Sequence, residues 1–128
     1  MLDPEVRRVL DGTPIAHVAT VLPDGGPHAV PVWIGTSGDR IVFFTGPGSR
    51  KERNLRRDPR VAISITPADN PFSPVVIRGR VVEWVDGEAG WELVDRVAQK
   101  YTGAPSYPRD QERIVAVIEP EKQRAGLG

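Results

Sequence analysis

The stretch TGPGSRKERNLRRDPR, residues 45–60, decides how the chain is interpreted. Ser49 and Glu52 have the three-residue spacing of a capping box, in which a hydroxyl and a carboxylate satisfy free amides at a helix start. Pro59 ends the helix at about Asp58, because the residue before a proline is disfavoured in helical conformation. The sequence therefore predicts a short helix that follows a glycine turn and begins just after Ser49.

The first turn of this helix carries two cations, Arg50 and Lys51. A helix start is already electropositive, so these cations oppose the helix dipole. A bound phosphate would make the free amides, the Ser49 hydroxyl and both cations mutually consistent, since each supplies positive charge or a hydrogen-bond donor. Lys51 shares a helix face with Leu55, the apolar residue that can dock this helix, so we expect Lys51 to point along the protein body.

The basic stretch also fits two alternatives that involve no small phosphorylated ligand. In the first, it is a solvated face, which is what arginines and lysines on a short helix usually form. In the second, it is a nucleic-acid patch, but the run is short and the chain balances 17 basic against 17 acidic residues. Trp33, Phe43 and Phe44 also fit strand cores as well as they fit base-stacking platforms. We therefore expect no nucleic-acid partner, and the solvated face stays open.

Outside this helix the sequence shows six runs with strand character. They cover residues 15–22, 28–35, 39–46, 60–65, 74–85 and 112–119. Asp24-Gly25 is a tight hairpin signal between the first two runs, and residues 36–39 (TSGD) form a second turn, so the first three runs are expected to form a meander. Several runs alternate apolar with small or polar residues, which is typical of a sheet with one buried face.

Two further helices are predicted. A short helix is predicted over residues 3–11, with Asp3 as its N-cap, Pro4 at its first helical position and Gly12 as its stop. Residues 87–101 form a longer one, which Gly103 ends. The apolar stripe of the longer helix is assigned to packing and consists of Trp91, Val94, Ala98 and Tyr101. Six strands with two or three helices indicate an α+β domain built on a small antiparallel barrel.

Composition limits the classes of function. The 128 residues suffice for one core, so a single domain over residues 1–128 is expected. With no cysteine and two histidines, thiol chemistry is absent and a protein metal site is not expected. No apolar run reaches membrane length, and the amino terminus MLDPEVRRVL mixes charged with apolar residues. We therefore expect a cytoplasmic protein without a membrane partner.

The order of several motifs resembles a known superfamily. The motifs are HAVPVW (28–33), IVFFT (41–45), RKERNLRRDPRV (50–61), VVIRGRVVEW (75–84), KYTG (100–103) and SYP (106–108). They resemble the split β-barrel flavin and deazaflavin oxidoreductases of the pyridoxamine 5′-phosphate oxidase-like superfamily, above all the branch that uses the deazaflavin coenzyme F420. The resemblance covers residues 15–122, and the spacing RK-x-x-NL-x-x-DPR after FFT is its more specific signal.

The resemblance implies a six-stranded antiparallel split β-barrel that forms a homodimer with two cofactor clefts at the interface. The implied cofactor-binding residues are Val30, Pro31, Val32 and Trp33 beside the tricyclic ring, Thr45, Ser49, Arg50 and Lys51 at the phosphate end, and Asn54, Ile77 and Arg78. Asn54 is expected either to contact the cofactor or to tie down the helix. Ile77 and Arg78 are expected to reach a cleft from the fifth predicted run, residues 74–85. Tyr107 is expected to lie on the substrate side of the cleft. Because Pro31 donates no hydrogen bond, it should stand on an edge strand or a bulge.

The implied function is a reductase that transfers a hydride from reduced F420 to a conjugated small molecule of the enone, quinone or tetrapyrrole type. The cofactor carries the hard chemistry, so no catalytic residue is assigned. The proton donor is not assigned, and the candidates are His28, Tyr107, Arg78 and water. His17 is interpreted as a structural histidine. The ending EPEKQRAGLG lacks the arginine-rich segment with which pyridoxamine phosphate oxidases hold their substrate, so vitamin-B6 oxidation is not expected. The alternatives are an FMN-binding oxidoreductase of the same fold and a non-catalytic cofactor-binding protein.

Overall fold

The computed structural model describes residues 1–126, which form three helices and one antiparallel sheet of seven strands. The elements are α1 (Pro4–Asp11), β1 (Ala16–Val21), β2 (Pro27–Val32), β3 (Gly35–Ser37), β4 (Arg40–Thr45), α2 (Arg50–Arg57), β5 (Arg60–Ile65), β6 (Val75–Val85), α3 (Gly87–Thr102) and β7 (Ile114–Ala125). The strand order in the sheet is β2-β1-β5-β6-β7-β4-β3. The α+β class is confirmed.

The prediction of six strands is wrong in number, because the run at residues 28–35 is divided between two strands. Its first part pairs with β1, whereas Gly35 begins β3 and lies opposite Val42 of β4. The turns at Asp24-Gly25 and in the TSGD segment form as predicted. The three runs are nevertheless not a continuous meander, since β2 and β3 stand at opposite ends of the strand order.

The divided run closes the sheet into a barrel. Only Trp33 and Ile34 separate the end of β2 from the start of β3, so the two outermost strands lie within about 11 Å of each other at this point. The two strands do not pair with each other within residues 1–126, so the barrel is split along this line. Pro31 lies on the edge strand β2, as predicted from its missing donor.

The last strand is longer than predicted. It runs to Ala125 instead of ending at Glu119, because β6 extends over 11 residues and offers ladder partners as far as Val75, which pairs with Ala125. Two register shifts interrupt this ladder, one of them between Arg78 and Gly79. Such irregularities bend a strand, as the curvature of a small barrel requires.

The core has two parts. Inside the barrel the largest fully buried side chains include Ile41, Phe43, Ile63, Ile77 and Ile118, and α1 adds Val6 and Leu10. A second cluster lies where α3 packs on β4 and β7, and it contains Val42, Val94, Val97, Val115 and Val117. The aromatic residues of the candidate site pack against this second cluster. His17, which we expected to be a satisfied structural histidine, is exposed on β1 because its neighbours Ala16 and Val18 occupy the inward positions.

The helices keep their predicted bounds to within a residue. Asp3 is the N-cap of α1 but makes no side-chain capping bond. Gly103 ends α3 in the left-handed conformation with φ of 78°, which glycine adopts without steric cost. The packing stripe of α3 is confirmed at Val94 and Ala98, which are both buried.

Lys100 joins α3 to the end of α1. Its Nζ donates a hydrogen bond of 2.6 Å to the backbone carbonyl of Leu10 and lies 5.1 Å from the ring centroid of Tyr101. That carbonyl belongs to the last turn of α1, where helical carbonyls lack partners within the helix. Burial lowers the pKa of Lys100 to about 8, although the carboxylate of Asp11 opposes this shift.

We expect the free energy of unfolding to rise between about pH 8, the pKa of Lys100 in the folded protein, and pH 10.5, its ordinary value. In the unfolded chain Lys100 regains its ordinary pKa of 10.5, so in this range the unfolded state binds more protons than the folded state and stability increases with pH. Well below pH 8 Lys100 is protonated in both states and this contribution is flat.

Urea titrations across this range measure the slope, and Lys100→Met should flatten it. Burial also lowers the pKa of Lys51, which contributes a smaller rise of stability with pH. Lys51→Met is therefore the matched control, and it should leave most of the wild-type slope in place. A Lys100→Met protein with the wild-type slope would contradict the assignment.

Candidate functional site

A cleft of about 450 Å³ opens where β2 and β4 end. It is lined by Ile15, Pro31, Val32, Trp33, Phe44, Thr45, Gly46, Lys51, Tyr107 and Arg113. These residues come together because the barrel closes at Trp33, next to the end of β4 and the first turn of α2. The volume lies in the range of roughly 300–1,000 Å³ that is common for ligand pockets. Half of the predicted site residues line this cleft, namely Pro31, Val32, Trp33, Thr45, Lys51 and Tyr107.

Aromatic rings form one wall of the cleft. Trp33 stacks on Tyr101 with ring centroids 5.0 Å apart and planes inclined by 6°. Tyr107 meets Phe44 at 5.2 Å and Trp33 at 6.1 Å, both edge to face. Stacked and edge-to-face pairs are the arrangements that aromatic side chains prefer. The wall therefore presents a fixed apolar surface against which a flat conjugated ring can pack.

Tyr101 supports this wall without lining the cleft. Its hydroxyl donates a hydrogen bond to the carbonyl of Pro14 and accepts one of 3.2 Å from the backbone N–H of Ile34. Burial raises the pKa of Tyr101, which keeps the hydroxyl protonated and able to donate. The assignment of Tyr101 to packing is confirmed, and its bonds fix the segment that carries Trp33.

Tyr107 is held in the loop before β7 by Asp95 of α3. The Asp95 carboxylate accepts a hydrogen bond of 2.9 Å from the backbone N–H of Tyr107 and one of 2.6 Å from Arg109. The hydrogen bond from Arg109 is the main cause of the lowered pKa of Asp95. An ionised Asp95 therefore anchors the loop and places the Tyr107 ring on the cleft.

The predicted capping box at α2 forms with one change. The hydroxyl of Ser49 accepts a hydrogen bond of 3.2 Å from the backbone N–H of Glu52, as predicted, but the carboxylate of Glu52 accepts from the backbone N–H of Gly48 at 2.6 Å. The hydroxyl of Thr45 donates to that of Ser49 at 3.0 Å. Ser49 therefore fixes the start of the helix and does not line the cleft.

The carboxylate of Glu52 is buried but ionised. Burial by itself favours the neutral form, yet hydrogen bonds from Gly48 and Arg56 outweigh it and lower the pKa of Glu52. The Glu52–Arg56 ion pair has a separation of 2.8 Å. Arg56 is thereby neutralised locally.

The two cations of the first turn have different surroundings. Lys51 is half-buried and lines the cleft, whereas Arg50 is exposed and outside the cleft lining. Burial lowers the pKa of Lys51, and no carboxylate within residues 1–126 forms an ion pair with it. Arg56 and Arg60 do pair with nearby carboxylates. A solvated or paired surface therefore accounts for much of the basic stretch, but not for Lys51.

Asn54 holds α2 against the barrel. It is fully buried, and its Nδ2 donates a hydrogen bond of 3.0 Å to the hydroxyl of Thr20, which is also buried. Leu55 packs beside it in the barrel core. Of the two roles left open for Asn54, the structure shows the contact that ties down the helix, and Asn54 does not line the cleft.

The structure does not bring the remaining predicted residues to this cleft. Val30 lies earlier on β2, outside the lining. Ile77 is fully buried inside the barrel, because strand alternation turns it inward. Arg78 is exposed and lines a second cavity of about 680 Å³ across β1, β5, β6 and β7. Cofactor contacts of these residues stay predictions.

Arg113 is the cleft residue that the sequence did not reveal. It directly precedes β7, whose Ile114 pairs with Thr45, so Arg113 falls beside Gly46. The ring of Phe44 and the side chain of Ile15 were also missed as lining residues. Only the pairing of β4 with β7 places Arg113 here, and hydrophobic periodicity does not predict which strands pair.

The cleft is suited to binding more than to acid–base chemistry. Its polar side chains are those of Thr45, Lys51, Tyr107, Arg113 and the indole of Trp33, and no carboxylate or histidine lines it. Over residues 1–126 no three metal-ligating side chains cluster in a way that could hold a metal ion. None of the helices described is both long enough and apolar enough to cross a membrane.

Comparisons with known proteins agree with this architecture. Residues 2–125 match the sequence model of the family described as pyridoxamine 5′-phosphate oxidase. The chain belongs to the pyridoxamine 5′-phosphate oxidase family. A curated member, the pyridoxine/pyridoxamine 5′-phosphate oxidase of Trichormus variabilis, is 33% identical over 108 residues, which cover 84% of this chain and 49% of that protein. The chain therefore spans about half the length of this relative.

Two solved structures have the same fold as this chain. A protein described as an F420 reductase matches with a TM-score of 0.82 and 26% identity over 96% of this chain and 98% of its own. A conserved hypothetical protein from Mycobacterium tuberculosis matches with a TM-score of 0.76 and 26% identity over 98% of this chain and 84% of its own. The predicted membership of the split-barrel superfamily is confirmed.

Proposed function

We propose that the chain is a reductase that binds the deazaflavin coenzyme F420 in the cleft and reduces a conjugated small molecule such as an enone, a quinone or a tetrapyrrole. The observation that carries the proposal is a cleft that joins an aromatic wall to two cations, Lys51 and Arg113, for which residues 1–126 provide no carboxylate partner. A flat ring with an anionic end is complementary to both features. The similarity to an F420 reductase over nearly the whole of both chains favours this coenzyme.

The lining residues fit such a group. The Nε of Arg113 is buried and finds no hydrogen-bond acceptor in the described part of the chain. Lys51 is half-buried, and this burial lowers its pKa. An anion in the cleft would be attracted to both side chains, because no carboxylate among residues 1–126 forms an ion pair with either of them. Pro31 adds an edge position without a donor, over which a ring can lie against the backbone.

A reduced deazaflavin supplies a hydride, which leaves binding, orientation and the exclusion of water to the protein. Lys51 and Arg113 would hold the anionic end of the coenzyme. Trp33, with Pro31 and Val32, would border the ring. Tyr107, between Phe44 and Arg113, is the candidate contact on the substrate side.

We also propose that the chain acts as a homodimer with the cleft at the interface. Ile15 at the rim of the cleft is 49% exposed, and Val76 and Val82 of β6 are 44% and 45% exposed. Burial of these apolar side chains against a partner would be favourable, and a second copy over Ile15 would narrow the opening. Light scattering after size-exclusion chromatography tests this proposal, and a monomer at micromolar concentration would contradict it.

FMN is the second candidate cofactor. The curated relative is a pyridoxine/pyridoxamine 5′-phosphate oxidase, and the superfamily that the motifs resemble includes flavin as well as deazaflavin enzymes. Both cofactors present a phosphate to Lys51, so the charges of the cleft do not choose between them. Selectivity between F420 and FMN must therefore come from contacts with the cofactor ring and its substituents.

Titration of the purified ligand-free protein with F420 and with FMN, followed by ring fluorescence, tests the assignment. We expect tighter binding of F420, and consumption of reduced F420 in the presence of at least one acceptor from a panel of enones, quinones and tetrapyrroles. Binding of FMN alone would reject the F420 assignment. Tight F420 binding without consumption by any acceptor would indicate a non-catalytic cofactor-binding protein.

A further inference from the structure

A second cavity of about 680 Å³ opens on the outer face of the sheet, where Arg78 is exposed. It shares no lining residue with the cleft. Pro31 lines the cleft and Pro27 lines the second cavity, so the two sites are about 13 Å apart along β2. The charged side chains that line the second cavity are one carboxylate, Glu121, and four cations, Arg60, Arg78, Arg80 and Lys122. A chain without net charge therefore concentrates positive charge at this place.

One row of the sheet crosses the second cavity and explains its shape. Four residues pair in sequence along this row, namely Ala19, Ala62, Arg78 and Lys122. The two alanines are half-buried, whereas Arg78 and Lys122 are exposed. The short alanine side chains leave space above the sheet, and the two longer cationic side chains stand beside that space. A ligand in this cavity would therefore lie next to two cations.

Two like-charged pairs stand directly opposite each other in this part of the ladder. Arg60 pairs with Arg80, and Arg78 pairs with Lys122. Like charges at directly opposite positions destabilise a sheet. The first pair is relieved by ion pairs with nearby carboxylates, at 2.6 Å for Arg60 and 3.5 Å for Arg80. The part of the chain that the structure describes offers no such ion pair to Arg78 or Lys122, so a bound anion would relieve the second pair.

We propose that the second cavity is an anion-binding site, separate from the cleft, for a small organic ligand with two or more carboxylate or phosphate groups. Arg78 supplies a planar fork of donors that matches the oxygens of such a group, and Lys122 supplies a point charge. Two unpaired cations side by side attract a ligand with two negative charges more strongly than a ligand with one. The inference does not depend on the proposed cofactor, because the residues that carry it do not line the cleft.

A role in the proposed homodimer is the competing explanation of these cations. The part of β6 that lines the second cavity lies between Val76 and Val82, whose exposed side chains the homodimer would bury. A second copy could then offer carboxylates to Arg78 and Lys122, and loss of the two cations would weaken the dimer. If the cations serve a ligand instead, two copies bring like charges together. Loss of the cations should then leave the dimer unchanged or make it more stable.

Citrate and pyrophosphate are the probes, because they carry several carboxylates or two phosphates without a flat ring. Isothermal titration calorimetry at constant ionic strength measures their affinity, since salt screens exposed charges. We expect Arg78→Gln and Lys122→Gln each to weaken binding of the tighter probe about 10- to 100-fold, the range of a lost hydrogen bond to a charged group. The tighter of the two probes identifies the ligand as a carboxylate or a phosphate compound.

Control variants separate this site from the cleft and from general charge effects. Lys51→Met is the background for the titrations, because it weakens binding of the same anions in the cleft. Arg96→Gln removes an exposed arginine of α3 that lines neither cavity, so it should bind the probes as its parent does. Ala62→Glu places a carboxylate directly opposite Arg78. It should weaken probe binding and raise the melting temperature of the ligand-free protein, whereas Ala62→Gln, its uncharged match, should not raise it.

The Arg78→Gln/Lys122→Gln double variant decides between the explanations. Unchanged probe affinity in this variant would overturn the inference. A weaker dimer, measured by light scattering, would assign the two cations to the contact between copies and would overturn it as well. A loss of F420 or FMN affinity as large as that in Lys51→Met would place Arg78 at the cofactor and would have the same consequence. If the probes bind through Arg78 and Lys122 but F420 does not bind the wild type, the inference holds and the proposed function fails.

Discussion

Lys51→Met is expected to weaken binding of the phosphorylated cofactor by about 100-fold, because a lost hydrogen bond to a charged group is worth about 1.5–3 kcal/mol. The ligand-free protein should keep its stability or become more stable. The lysine is half-buried, its pKa is lowered by burial, and no carboxylate among residues 1–126 pairs with it. In the ligand-free protein this ammonium group is thus partly desolvated without compensation. Methionine keeps the apolar stem that packs along the cleft but removes the charge.

The pH dependence of binding gives this prediction a second measurement. Only the protonated form of Lys51 attracts an anion, so the affinity of the wild type should fall as the pH rises through the lowered pKa of Lys51. In Lys51→Met this decline should disappear. Arg50→Met is the matched neighbour: Arg50 is exposed and outside the lining, so its loss should reduce affinity much less. Wild-type affinity in Lys51→Met would count directly against the phosphate assignment.

The parts of the fold that the sequence predicted depend on short-range signals. The start and end of α2 follow from Ser49, Glu52 and Pro59, which lie within eleven positions of one another, and the structure confirms both ends. The division of the second run was missed because it is set by tertiary pairing. Trp33 and Ile34 continue an apolar pattern, and they break the strand only because the next residues pair with β4 instead of β1.

The candidate site divides in the same way. Helical spacing put Lys51 on the face of the docking residue Leu55, and the structure places Lys51 in the cleft while Arg50 faces solvent. The basic character of the stretch alone did not separate the two. Arg113 could not be found from spacing, because it lies 62 positions after Lys51 and reaches the cleft only through the pairing of β7 with β4. The position of Arg113 in the cleft thus depends on long-range strand pairing, which hydrophobic periodicity does not encode.

Trp33→Ala is expected to lower the free energy of unfolding by about 2–4 kcal/mol and to weaken binding of the cofactor ring. The estimate lies below the top of the range for removal of a buried aromatic side chain, because Trp33 is only partly buried. Trp33 stands in the link that closes the barrel, stacks on Tyr101 and meets Phe44 edge to face with centroids 6.3 Å apart. The same ring lines the cleft, so one substitution should affect stability and binding together.

Trp91→Ala separates these two effects, because it makes the same substitution in the same hydrophobic cluster. Trp91 is also partly buried there and packs under Arg109, whose Cζ lies 4.2 Å from its ring centroid, but it does not line the cleft. We expect urea titration to show a loss of stability in both variants, and ring fluorescence under fully folding conditions to show weaker binding of F420 or FMN only in Trp33→Ala. Trp33→Phe, which keeps an aromatic ring against Tyr101, should recover part of both losses. Equal weakening of ring binding in Trp33→Ala and Trp91→Ala would mean that the cleft responds to general loosening of the cluster, and Trp33 would then lose its place as a wall of the binding site.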